Sequence, residues 1–175
     1  MPVAASIRPA RSEDIGAITA IYAHAVEHGT ASFEVEPPTE TEMARRMEAL
    51  VTGGFAYLVA ELDGTVAGYA YAGPYRPRIA YRYTVEDSVY IRPDAQNLGI
   101  GRLLLTDLIS EAERRGFRQM VAVIGDSAQL PSIALHRSLG FNPVGTFANV
   151  GFKHGRWLDS VLMQRSLGEG ARTLP

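Results

Sequence analysis

The 175-residue chain is long enough for one compact domain with a substantial core, and 46% hydrophobic against 21% charged residues is an ordinary globular composition. Seventeen Lys+Arg against nineteen Asp+Glu leave a net charge of -2, which argues against a sequence-independent nucleic-acid binder, because such proteins carry surplus positive charge. The absence of cysteine excludes disulfides, Cys-ligated zinc and a cysteine nucleophile.

The opening MPVAASIRPARSEDIG holds no long apolar run. No secretory signal or membrane anchor is expected there, and the expected location is cytoplasmic. Residues 6–8 suit a short strand. Ser12 is placed to cap a helix with Glu13 and Asp14 in its first turn, where the helix dipole favours acids. Ile15, Ile18, Ile21, Tyr22, Ala25 and Val26 then recur at helical spacing up to Gly29. Thr39 with Glu42 has the capping-box pattern for a second helix, with Met43, Met47, Leu50 and Val51 as its apolar face. Residues 55–62 and 65–71 are β-rich runs joined by Asp63-Gly64, a strong two-residue hairpin signal. Residues 75–83 read as a loop and 84–91 as a strand, and Pro93-Asp94 begins a turn. Residues 101–115 are helical, with Leu104, Leu105, Leu108, Ile109 and Ala112 as the buried stripe. The apolar run 120–124 has the character of a buried strand, and 132–139 form a short helix closed by Gly140. Strands at 142–147 and 157–164 complete a β-α-α-β-β-β-α-β-α-β-β order. The expectation is one α/β domain over 1–167, built on a single mixed central sheet, with a loose tail at 168–175.

Between the strand at 84–91 and the following helix stands Gln96-Asn97-Leu98-Gly99-Ile100-Gly101. Glycines at 99 and 101 let backbone N–H groups approach a ligand closely, and a helix N-terminus adds unpaired donors and a positive dipole end. A P-loop reading fails because Gly101 is followed by Arg102-Leu103 rather than Lys-Ser/Thr. A dinucleotide-binding turn fails because Leu104 stands where its third glycine belongs. The acyl-CoA loop of the GNAT acetyltransferases, Gln/Arg-x-x-Gly-x-Gly/Ala, matches at Gln96, Gly99 and Gly101. Taken alone, six residues also allow a turn whose glycines serve packing only.

From about Ile7 to Leu167 the chain resembles the phosphinothricin/methionine sulfoximine acetyltransferase branch of the GNAT superfamily. The matching segments are Ala20-Ile21-Tyr22, Thr84-Val85-Glu86-Asp87-Ser88-Val89-Tyr90, the loop above, Val121-Ala122-Val123-Ile124, Leu135-His136-Arg137-Ser138-Leu139-Gly140-Phe141 and Val150-Gly151-Phe152-Lys153-His154-Gly155-Arg156-Trp157. The resemblance implies a GNAT fold with about four α-helices around the sheet, acetyl-CoA as co-substrate, and a homodimer. It implies that Val89, Tyr90 and Ile91 flank the thioester with backbone groups. Gln96, Asn97, Leu98, Gly99, Ile100, Gly101 and Arg102 would hold the pyrophosphate, and Ser132 and His136 would lie near the pantetheine arm. Glu86 matches the catalytic glutamate, and the acceptor set is Phe33, Arg76, Pro77, Arg78, Tyr83, Glu86, Asp87 and Ser88. Two departures stand out. Gln129 takes the place of the family's usual asparagine, and His136 sits near where many GNAT enzymes carry a tyrosine, so no tyrosine general acid is assigned.

The chemistry agrees with that resemblance. An aliphatic ammonium has no lone pair, and a carboxylate such as Glu86 can take its proton as attack proceeds. The alternative for Glu86 is a salt-bridging strand residue. Developing negative charge needs N–H donors, for which the backbone of Val89 to Ile91 is the candidate. A thiol of pKa about 8.5 is a ready leaving group. Without cysteine, direct transfer in a ternary complex is the expectation. Three arginines and three tyrosines in residues 75–83 suit an acceptor carboxylate, though a solvated loop has the same composition. The predicted activity is N-acetylation of a small amino-acid analogue such as phosphinothricin or methionine sulfoximine. The alternatives are another small amine or a non-catalytic acyl-CoA-binding module. His24, His28 and His154 lack metal-ligand spacing with acidic partners, and no metal is expected. The stretch Lys153 to Trp157 reads as a hairpin turn that closes over the acceptor or meets a second subunit.

Overall fold

The computed structural model describes residues 5–175. Seven strands form one sheet: β1 (Ser6–Pro9), β2 (Tyr57–Leu62), β3 (Thr65–Pro74), β4 (Thr84–Ile91), β5 (Gln119–Gly125), β6 (Asn142–Lys153) and β7 (Arg156–Ser166). Four helices flank it: α1 (Ile15–His28), α2 (Glu40–Thr52), α3 (Ile100–Arg114) and α4 (Leu130–Ser138). The spatial order is β1-β2-β3-β4-β5-β7-β6, and every pairing is antiparallel except β4 with β5. The expected mixed sheet and element order are present. No helix among the described residues is long and apolar enough to cross a membrane.

Alternation along the strands divides the core between two faces. Tyr57, Val59 and Tyr69 pack with Ile18, Ile21, Tyr22 and Val26 of α1 and Met43 of α2. Leu58, Ala60, Ala70 and Val85 point the other way, against Ile100, Leu104, Leu105 and Leu108 of α3. Full burial of one such leucine contributes about 2 kcal/mol, and the six residues of the α3 stripe together hold that helix to the sheet.

Several local expectations are corrected. Ser12 does not cap α1; it opens a 3₁₀ turn over Ser12–Asp14. Asp14 closes that turn, accepting the Arg11 N–H at 2.8 Å and both terminal nitrogens of Arg8 at 2.8 and 2.9 Å. A charge-assisted pair makes a stronger anchor than a hydroxyl, and the Arg8 guanidinium holds the Asp14 carboxyl below its ordinary pKa. Thr39 does cap α2 through the Glu42 N–H at 3.2 Å. The reciprocal half of the box is missing, because the Glu42 carboxylate is taken by Arg45 and Arg46 one turn on. Helix α4 begins at Leu130, and β6 extends to Lys153, six residues beyond the expected end. The extension is possible because His154 and Gly155, at φ 52° and 73°, make a two-residue turn that lets β6 and β7 pair to the tip. Beyond Leu167 the chain returns to Arg118, whose guanidinium donates to Gly170 O, Thr173 Oγ1 and Leu174 O at 2.9–3.0 Å.

Candidate active site

The sheet is interrupted where β4 and β5 part. They pair only from Thr84–Gln119 to Asp87–Ala122, while β5 stays paired with β7 along its whole length and β4 continues to Ile91. Between the diverging strands lies a cavity of about 660 Å³. One wall is Asp87, Ser88, Val89, Tyr90 and Ile91, and the other is Ala122, Val123, Ile124 and Gly125. The parting explains why Val123, in an apolar run that reads as fully buried, is 38% exposed.

The floor is the turn into α3. Asn97 and Gly99 hold left-handed backbone at φ 61° and 82°. Gly99 serves as the N-cap of α3, and its carbonyl accepts from Arg102 and Leu103. Among the described residues, Leu98 closes a hydrogen-bonded turn over Gln96 and Asn97, while the N–H groups of Asn97, Gly99, Ile100 and Gly101 meet no protein acceptor. Unpaired donors clustered at a helix N-terminus are the arrangement that suits an anion. Gln96, Asn97, Gly99, Ile100, Gly101 and Arg102 border the cavity. The Leu98 side chain does not; it is exposed. Arg102 reaches Ser138 Oγ at 2.8 Å, which carries its charge toward α4.

Helix α4 closes the far side with Ser132, Leu135 and His136. His136 is 4% exposed, with Nδ1 2.7 Å from Ser132 O and Nε2 2.8 Å from Asp87 Oδ2. Both neighbours are acceptors, so the ring satisfies them only with protons on both nitrogens. Burial lowers the histidine pKa, but the hydrogen bond and charge of Asp87 together with the Ser132 carbonyl outweigh it and raise the net value. The second Asp87 oxygen, Oδ1, is buried with no hydrogen-bond partner among the described residues. Asp87, expected on the acceptor side, therefore spends its carboxylate on α4.

Glu86 sits one residue earlier on β4, opposite Gly73 of β3 and Val121 of β5. Strand alternation turns it away from Asp87, to the side of the sheet covered by α1 and α2. It is half-buried beside the cavity rather than on its wall, and burial, with the charge of Asp87, raises its pKa above the ordinary carboxylate value. A carboxylate of raised pKa with no cationic partner among the described residues is suited to taking up a proton. The Tyr90 ring stacks on Tyr69 and meets the edge of Tyr22, so its backbone is what the cavity receives.

The remaining expected acceptor residues are more dispersed. Arg76, Pro77 and Arg78 are exposed on the loop before β4, and none borders the cavity. Tyr83 lies at the base of β4, where its carbonyl accepts from Arg118 and Gln119 and its ring carries the Arg82 guanidinium at 4.6 Å. Phe33 packs over Gly125 and Gly151 just outside the wall. Gln129 does border the cavity, but its amide donates to Thr30 Oγ1 at 3.0 Å. A third wall was absent from the sequence-based site: Ile21, His24, Ala25 and His28 of α1, with Gly29, Thr30 and Ala31 after it. Helical periodicity marks which face of α1 is buried but not which part of that face meets a cavity, so no signal identified these residues. Among the described residues no group of three or more His, Cys, Asp or Glu could hold a metal.

A sheet parted between parallel strands, with unpaired amides beneath the gap and a carboxylate beside it, defines an acyltransferase site that takes an anionic co-substrate. Residues 7–162 match the family model described as the acetyltransferase (GNAT) domain. The chain belongs to the GNAT acetyltransferases, in the branch of the phosphinothricin and methionine sulfoximine acetyltransferases. It is 54% identical over 172 residues to a phosphinothricin N-acetyltransferase of Alcaligenes faecalis, covering 98% of this chain and 87% of that one. It is 45% identical over 166 residues to an L-methionine sulfoximine/L-methionine sulfone acetyltransferase of Salmonella typhimurium, covering 95% and 96%. A crystal structure of a phosphinothricin acetyltransferase from Sinorhizobium meliloti in complex with acetyl-CoA superposes with a TM-score of 0.96 at 49% identity, covering 100% of this chain and 94% of that one.

Proposed function

We propose that this protein transfers the acetyl group of acetyl-CoA directly to the α-amino group of a small amino-acid analogue of the phosphinothricin or methionine sulfoximine/sulfone type. The observation that carries this reading is the set of unpaired amides at Asn97, Gly99, Ile100 and Gly101 opening into the gap between β4 and β5. These amides, with Arg102, suit the co-substrate's diphosphate, and the apolar gap leading to Ser132 and His136 suits its pantetheine arm. When bound there, acetyl-CoA supplies an activated acyl group. Glu86 accepts the proton of the acceptor ammonium, a task its raised pKa favours near neutral pH. The backbone of Val89 to Ile91, unpaired to β5, faces the reacting carbonyl. With no cysteine in the chain, an acetyl-cysteine route is closed and the acceptor reacts in the ternary complex. The exposed Arg76, whose guanidinium lies 5.2 Å over the Tyr75 ring, and the exposed Arg78 bind the acceptor carboxylate when it arrives.

The protein works as a homodimer. Supporting this, β6 is an edge strand, and Val144, Phe147, Val150, Phe152 and Trp157 are each at least 56% exposed along the β6–β7 hairpin. Light scattering at micromolar concentration checks this; a monomer mass rejects it. The function itself is tested by thiol release from acetyl-CoA with a panel of amino-acid analogues. Turnover should be highest with phosphinothricin or the methionine sulfoximine/sulfone pair, and absence of turnover with all three removes the acceptor assignment.

A further inference from the structure

The segment that leaves α1 at Gly29 has no regular structure as far as α2, yet its first six residues are tied to four other elements. His154 Nε2 lies 3.0 Å from Gly29 O, and Gln129 donates to Thr30 Oγ1. Ser32 Oγ meets Tyr22 Oη at 2.8 Å and accepts the Glu34 N–H at 3.1 Å. Glu34 is held by both forks of Arg46, at 2.8 and 2.9 Å, and by the Tyr22 hydroxyl. Phe33 lies so close over β5 and β6 that a Cβ at Gly151 would come within 2.5 Å of its ring and one at Gly125 within 2.9 Å. The glycines at 125 and 151 thus leave room for this strap to cross the sheet.

The least expected tie is Lys153. A lysine beside a hairpin tip ordinarily extends into water, but this one is 4% exposed and its Nζ donates to Ser32 O at 2.7 Å. Burying an ammonium costs several kcal/mol before its bonds offset that cost. Burial accordingly pushes the Lys153 pKa down, with Glu34 opposing. A methionine of similar length would fill the same space without that cost, so the charged donor must do more than pack.

We propose that Lys153 is a positioning residue for acceptor binding: by pinning the Ser32 carbonyl it fixes the 29–34 strap, whose Gly29, Thr30 and Ala31 follow α1 and line the cavity on the side of the sheet that Glu86 faces, and so sets the clearance left there for an acceptor approaching Glu86. The strap comes from the N-terminal half and its pin from the C-terminal hairpin, so the wall forms only when the two halves are folded together. This rests on the acceptor reading above.

The test compares Lys153→Met and Lys153→Arg with the wild type. K153M should raise the acceptor KM at least tenfold while kcat and the acetyl-CoA Kd change less than threefold, and K153R should recover most of the loss. A folded K153M with unchanged acceptor KM overturns the proposal. So does a variant whose acetyl-CoA Kd weakens as much as its acceptor KM, since that marks general loosening. Amide exchange across residues 29–34 reads the same pin without any acceptor: it should quicken in K153M while residues 97–101 keep their wild-type rates, and unchanged exchange at 29–34 also overturns it. Quickened exchange in K153M, alongside a wild type that acetylates none of the panel, would retain the pin and reject only the acceptor reading. If K153M fails to fold, Lys153→Leu, which also removes the donor to Ser32 O, is read by exchange at 29–34, and no change there rejects the proposal.

Discussion

Two irregular segments border one cavity and treat their polar groups in opposite ways. Among the described residues, the turn from Gln96 to Gly101 leaves the amides of Asn97, Gly99, Ile100 and Gly101 without a protein acceptor. The strap from Gly29 to Glu34 gives its carbonyls, hydroxyls and carboxylate to Lys153, His154, Gln129, Tyr22 and Arg46. Unpaired donors are costly unless water or a ligand reaches them, which is why the proposed diphosphate site is placed at this turn. Satisfied polar groups make a fixed wall. The same contrast separates Glu86, which has no cation beside it, from Asp87, whose carboxylate is committed to His136.

The largest expected effect breaks the Glu86 side of that contrast. E86Q should lower kcat by roughly 10²–10⁴-fold, the range for loss of a general base, while calorimetry finds the acetyl-CoA Kd unchanged. In the wild type the acid limb of the pH–rate profile should lie above the ordinary glutamate value of about 4.3, because the folded-state pKa is raised and the group must be ionised to act. Loss of activity in parallel with cofactor binding would show that Glu86 is structural.

Asp87 tests the committed carboxylate. Asp87→Ala strands the buried His136 and should cost about 3 kcal/mol in urea denaturation. The raised His136 pKa contributes stability that is full below about 6.5 and lost as pH rises through the folded-state value. That decline should be present in the wild type and absent in D87A. A slope common to both proteins points to another group.

Gly99→Val sharpens the reading of the turn. The site is open, with no atom within 4 Å of a built Cβ, so the substitution acts through backbone strain at φ 82°. A penalty of about 1–2 kcal/mol corresponds to roughly tenfold weaker acetyl-CoA binding, with the acceptor KM unmoved. Equal weakening of both substrates would mean the turn is not specific to one of them. Thr39→Ala is the smallest change. Losing a 3.2 Å cap bond at the exposed start of α2 should cost about 0.5–1 kcal/mol and leave both KM values intact. A larger activity loss would tie α2 to the site.

Local chemistry carried much of this into the sequence. The α3 stripe, the Asp63-Gly64 turn and the glycines of the 96–101 turn depend on neighbours within a few positions, and the structure has them where the pattern implies. Ser12 misled because its competitor as the closing group, Asp14, draws its strength from Arg8 in another element. His136 was placed near the cavity, but its partner Asp87 is 49 positions away and left no local trace. The third wall, Ile21 to Ala31, was missed for the same reason, and so was the pairing of Lys153 with Ser32 across 121 positions.

The sequence by itself determined the element order, the mixed sheet and the glycine turn into α3, because periodicity, turn chemistry and glycine's freedom at positive φ act over one or two turns of chain. Tertiary structure alone decided where β4 and β5 part, which of two adjacent carboxylates pairs with His136, and what holds the strap from Gly29 to Glu34. Each of those depends on groups that meet only after the two halves pack, and on the cost of leaving buried polar atoms unpaired once they do.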